Sequence, residues 1–127
     1  MLTRSRSVLL VVAIAMAFSA AGLAAQGQVD EATKEKVKQA IEAYVQQDIT
    51  MKGKFLLLDP RGGGPLALNY DHIHAGVDPH TDGYVACVDF TDNLGLVYDV
   101  DVVVQRGSEL RVSEFILHKV DGKEVEK

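Results

Sequence analysis

The chain has 127 residues, with thirteen Lys or Arg against eighteen Asp or Glu and a formal charge of −5. A surface this acidic repels phosphate backbones, which argues against nucleic acid as a partner. Cys87 is the only cysteine, so an internal disulfide is excluded and the fold has to stand on its apolar core.

The first predicted element is a leader. MLTRSRS carries Arg4 and Arg6 and no acid, residues 8–18 form an unbroken apolar run, and SAAGLAAQG supplies small residues. That order is the pattern of a secretory signal peptide. The apolar run falls short of the ~20 residues of a stable bilayer anchor. Cleavage is expected after Ala21, Ala24 or Ala25, which assigns residues 1–25 to the signal peptide and 26–127 to a single domain. The leader holds two bases and no acid, leaving eleven bases against eighteen acids and a charge of −7. The expected location is periplasmic or secreted, with no membrane attachment after cleavage.

Residues 30–51 spell one helix. Asp30 is an N-cap, Glu31 and Glu35 suit the positive end of the helix dipole, and Gly53 is placed to end it. Val37, Ala40, Ile41, Tyr44, Val45 and Ile49 recur at three- and four-residue steps and make one apolar stripe. Such a stripe needs a sheet to lie on.

Short strand-like segments follow at 54–59, 66–75, 84–91, 96–105 and 110–120, cut by RGGGP, AGVDPHTDG, DNLG and RGSE. Turns this short make neighbouring strands antiparallel. The closing DGKEVEK reads as a charged tail. The expected fold is α+β, with one N-terminal helix on a curved antiparallel sheet of four to five strands.

That element order over residues 30–120 resembles the cystatin-like architecture and, more loosely, the NTF2-like cone. The helix-then-strands pattern, the DHIH strand and the closing HKVDGK also look like small uncharacterised exported bacterial proteins. The resemblance implies a fold and no particular activity, because such superfolds host inhibitors, carriers and enzymes alike.

Chemistry concentrates in DHIHAGVDPH, residues 71–80, which holds three of the four histidines. His72 and His74, two apart on a strand, point to one face and can close on one transition-metal ion. His80, Asp78 and Asp82, expected on the following loop, are the reachable further ligands, so the candidate metal set is His72, His74 and His80. If that loop pairs His74 with Tyr84, Cys87 points to the opposite face and becomes a small buried hydrophobe with an inert thiol. His118, paired near Leu96, then falls ~10 Å too far along the sheet to join.

Asp99 and Asp101 share one face of a central strand. The Tyr98, Val100, Val102 and Val104 set is the better core face, which assigns the two acids to solvent, with Arg106 and Arg111 offsetting their charge. RGGGP lacks the Lys-Ser/Thr of a phosphate loop and joins strands. The expected function is an exported, non-catalytic binding or accessory module that takes a metal ion, a protein partner or a small ligand through the sheet face. The alternatives are a small NTF2-like enzyme with Asp/His acid–base chemistry in a cone pocket, and a purely structural subunit.

Overall fold

The computed structural model describes residues 28–126, and the expected signal peptide lies outside the described residues. Helix α1 runs from Glu31 to Lys52. Asp30 sits before it in extended backbone and accepts a hydrogen bond from the Thr33 N–H at 2.7 Å, satisfying one of the helix's free donors. Gly53 ends it in the left-handed region (φ 83°), where glycine carries no Cβ penalty, and donates its N–H to the Ile49 carbonyl at 2.7 Å. Of the expected stripe, Val37, Ile41 and Val45 are fully buried, whereas Tyr44 lies on the flank, 46% exposed, with its ring 5.4 Å from that of Phe115.

Six strands follow: β1 (Phe55–Leu58), β2 (Pro65–His80), β3 (Gly83–Thr91), β4 (Val97–Gln105), β5 (Arg111–Val120) and β6 (Lys123–Glu124). They form one open antiparallel sheet in chain order. Four to five strands were expected, so the count is corrected to six. The extra strand arises because Asp121 and Gly122, at φ 51° and 81°, form a two-residue turn that pairs Val120 with Lys123. Asp-Gly is the dipeptide that tolerates positive φ at both turn positions.

The second correction concerns β2. The expected loop over 76–83 is strand as far as His80, and the chain reverses on Thr81 and Asp82 alone, Asp82 adopting φ 57°. Gly83 opens β3 against β4, where a Cβ would stand 2.0 Å from the Val104 carbonyl oxygen. Only glycine fits there.

One face of the sheet packs on the helix. Val37, Ile41 and Val45 meet Phe55, Leu68, Val88, Phe90, Val100, Val102, Val104 and Leu117 in one apolar cluster. The Phe55 ring stacks on Phe90 with centroids 4.6 Å apart and tilts against Phe115 at 4.9 Å. No helix among the described residues is long and apolar enough to cross a membrane.

Ile41 is wholly enclosed in this cluster, so Ile41→Ala should lower the unfolding free energy by about 3 kcal/mol in urea titration. Gly83→Ala, which drives a methyl group into a backbone oxygen, should be at least as damaging. Met51→Ala, at a position 74% exposed, should change little.

Candidate metal centre on the open sheet face

Strand alternation decides which side chains meet. Ala86, Val88 and Phe90 of β3 and Tyr98, Val100, Val102 and Val104 of β4 are buried on the helix side. The residues between them, Cys87 and Asp89 on β3 and Asp99 and Asp101 on β4, therefore share the other face. The register sets Asp89 directly opposite Asp99 and Cys87 directly opposite Asp101. On the far side of β4, Lys119 opposes Asp99 and Ile116 opposes Asp101.

Two irregularities in β2 deliver the histidines to this face. Asp71 is an extra residue between the Tyr70–Phe90 and His72–Asp89 pairs. Tyr70 packs on the core, its ring edge-on to Phe90 at 6.2 Å. In an unbroken strand His72 would share the side of Tyr70, and the bulge turns it to the opposite one. Ile73 then pairs with Val88 on the helix side, so His74 again faces outward. A wider irregularity follows, where His74, Ala75 and Gly76 stand against Cys87 alone before Val77 pairs with Ala86.

The result is a compact donor group. His74 Nε2 lies 2.9 Å from Asp89 Oδ1, and His72 Nε2 lies 3.7 Å from Asp89 Oδ2. The two imidazoles stack, with centroids 5.3 Å apart and planes 21° from parallel. His72 Nδ1 is 3.1 Å from Asp71 Oδ2, so the bulged aspartate holds the back of the ring and leaves Nε2 towards Asp89. A carboxylate behind a histidine fixes ring orientation and tautomer in this way at metal sites. One ligand atom from each of His72, His74 and Asp89 lies within 4.8 Å of the others. Asp89 is the most enclosed of the three, with its side chain 17% exposed.

A second group sits one strand further in. The Cys87 thiol donates to Asp101 Oδ1 at 3.0 Å, and a carboxylate oxygen of Asp99 lies within 4.8 Å of both. Burial first, then the adjacent Asp101 carboxylate, pushes the Cys87 thiol up to about 12. His118 is the extra residue of a bulge in β5, between Leu117 opposite Val100 and Lys119 opposite Asp99. Its Nδ1 lies 3.7 Å from Asp101 Oδ1, beyond hydrogen-bond reach.

Several sequence expectations change with this register. His72 and His74 do share a face, with Asp89 rather than a loop acid beside them. The structure does not bring His80 to this group. As the last residue of β2, His80 pairs with Gly83, six residues along β3 from Asp89, or roughly 20 Å of strand. Cys87, expected on the opposite face, stands on the same face as the histidines because the true turn is two residues long. His118 is separated from His72 across three strand spacings, roughly 14 Å, and not along the strand. Asp99 and Asp101 face away from the helix, as the apolar alternation of β4 requires, but the expected arginines lie elsewhere. Arg106 covers the Tyr84 ring at 5.0 Å and Arg111 donates to Gln105.

Asp89 escaped the sequence reading, yet two signals pointed to it. Asp82-Gly83 is a turn dipeptide, and the apolar set Ala86, Val88 and Phe90 leaves Asp89 no place but the outer face. Comparison of the chain with protein-family models, with curated proteins and with solved structures finds no match. The functional argument therefore rests on the chemistry of this face.

The raised Cys87 value has two measurable consequences. At pH 8 the folded protein holds about one thiolate in ten thousand, against about one in ten at the ordinary value of 9.0, so iodoacetamide should alkylate it ~1000-fold more slowly than the urea-unfolded chain. Asp101→Asn should recover part of that rate. The preference for the neutral thiol supports the fold fully below its ordinary value of 9.0 and is lost as pH climbs towards 12. Cys87→Ser should flatten that alkaline decline in the melting temperature.

Proposed function

We propose that the protein is an exported, non-catalytic module that binds a divalent first-row transition-metal ion, zinc being the type case, through His72, His74 and Asp89. The observation that carries this reading is the convergence of two imidazole Nε2 atoms on one carboxylate, at 2.9 and 3.7 Å, with Asp71 behind His72. Zinc bonds of 2.0–2.2 Å in tetrahedral geometry set ligand atoms ~3.3–3.6 Å apart, and the two distances bracket that range. Imidazole with carboxylate suits zinc, copper, iron and nickel rather than calcium or magnesium.

Three protein ligands leave a further coordination position on the solvent side, where water, a small ligand or a side chain of a protein partner can complete the sphere. A binding role also suits the division of the fold. The helix side is filled by the apolar cluster, whereas the acid–base reading would need Asp99 or Asp101 inside a cone between helix and sheet. The helix-then-meander order supports the cystatin-like relationship as a description of architecture. Export is supported by the charge, apolar run and small-residue exit of residues 1–25.

Elemental analysis and calorimetry of the purified protein test the reading. One equivalent of zinc should bind at His72, His74 and Asp89, raising the melting temperature. His72→Ala with His74→Ala should abolish that binding, and Asp89→Asn should weaken it at least ~10-fold. His80→Ala should leave it unchanged. A protein that takes up no zinc, copper or nickel and melts at the same temperature with or without added ion refutes the proposal. Expression with the native leader should yield a periplasmic product beginning after Ala21, Ala24 or Ala25, and retention of residues 1–25 would remove the export part.

A further inference from the structure

The two sides of the sheet come together on one flank of the molecule. β1 is the first strand of the sheet and β5 the fifth, with three strands between them. Yet the Phe55 ring of β1 lies 4.9 Å from the Phe115 ring of β5, so the sheet curls until these two strands approach each other. A cleft opens between them, lined by Leu58 of β1, Phe115 and Leu117 of β5, and Val125 just beyond β6. Glu114 and Glu126, both exposed, complete its lining. Leu58 is 77% exposed, and Tyr44, beside Phe115, is 46% exposed, so this flank leaves several large apolar side chains in water.

The backbone along the cleft is open as well. Among the described residues, β6 covers β5 only at Lys119 and Val120. The Val125 N–H donates to the His118 carbonyl at 2.9 Å and carries that cover one residue further. From Leu117 back to Arg111, the edge of β5 away from β4 has no partner strand among the described residues. An unpaired edge is a template for another strand. We infer that this cleft takes an extended, basic segment of another protein, apolar at alternate positions, added as a strand to the free edge of β5.

Backbone, shape and charge each select this occupant. Free main-chain donors and acceptors on β5 call for a second backbone, and β6 with Val125 shows the same edge accepting one. The apolar lining calls for side chains at every second residue, the period of a strand, and main-chain pairing with pockets for alternate side chains is the mode of strand addition. At ≈ 190 Å³ the cleft falls below the ~300 Å³ of small-molecule pockets and suits single side chains. Glu114 and Glu126 form no ion pair among the described residues. A second copy of this chain, itself at −5, would bring further negative charge to the two glutamates. Lysine or arginine on a partner strand would meet them with the opposite sign. The cleft shares no residue with the His72, His74 and Asp89 group.

A short acetylated and amidated peptide of alternating valine and lysine is the probe, with amide hydrogen exchange of the purified protein as the readout. Binding should slow exchange within Arg111–Leu117. N-methylation of alternate peptide residues removes the donors that face one edge, and in one of the two phases it should weaken binding ~10-fold. Glu114→Lys with Glu126→Lys, both at exposed positions, should weaken the lysine peptide ~10-fold and admit a valine–glutamate peptide in its place. His72→Ala with His74→Ala should leave binding unchanged. Absence of binding, equal tolerance of both N-methylated phases, or loss of binding in the His72 and His74 variant overturns the inference. So does a free protein that sediments as a dimer with the Arg111–Leu117 amides already protected, because a second copy then holds the edge.

Discussion

The structure depends on one constraint, the burial of alternate residues of β3 and β4 beneath a single helix. Val88, Phe90, Val100, Val102 and Val104 are wholly enclosed against Val37, Ile41 and Val45. A strand offers its intervening residues only the other face. Cys87, Asp89, Asp99 and Asp101 are therefore brought together by the hydrophobic core, and among them the Cys87 thiol donates to Asp101. Asp89 and Asp99 face each other as like charges, an arrangement that costs a sheet stability. His72 and His74 lie against Asp89 from one side, and Lys119 stands opposite Asp99 in the register on the other.

Bulges do the second part of the work. A regular β2 would have sent His72 to the helix side with Tyr70, where an imidazole would need a buried partner. The extra residue at Asp71 reverses its direction and also supplies the carboxylate that holds its Nδ1. The bulge in β5 does the same for His118, setting it beside Asp101 while Leu117 stays in the core. Residues added without a partner are how sheets re-aim single side chains, and here both added residues belong to the polar face.

How legible this was in the sequence follows from the range of each signal. The helix was readable almost to the residue because its cap, its stop and its stripe are local features of Asp30, Gly53 and the Val37–Ile41–Val45 steps. The strands were readable as segments, and the outward assignment of Asp99 and Asp101 followed from the apolar alternation around them. The register of β2 was not readable. A two-residue turn at Thr81 and Asp82 reads in the sequence as part of a longer loop because Gly76, Pro79 and Gly83 all carry turn character. A change of one residue in turn length reverses every face assignment beyond it, which is why the sequence alone points Cys87 away from the histidines and leaves Asp89 unassigned. The bulges that place His72 and His118 depend on the packing of Tyr70 and Leu117 across strands. Neither has a signature in its own few residues.

The helix side and the open side thus obey different rules. On the helix side each position is fixed by close packing, so a change of one methylene is felt throughout the cluster. On the open side the constraint is charge, and a sheet selected for stability alone would carry threonine or paired lysine and glutamate there. Three aspartates on two adjacent strands, with three histidines and a thiol around them, is a poor choice on that criterion. It becomes a sensible one if the face works with a cation present, as proposed for His72, His74 and Asp89, since a divalent ion offsets the repulsion between neighbouring carboxylates. The cost of setting like charges side by side is then offset by the proposed ion on the open face and by the apolar cluster beneath it.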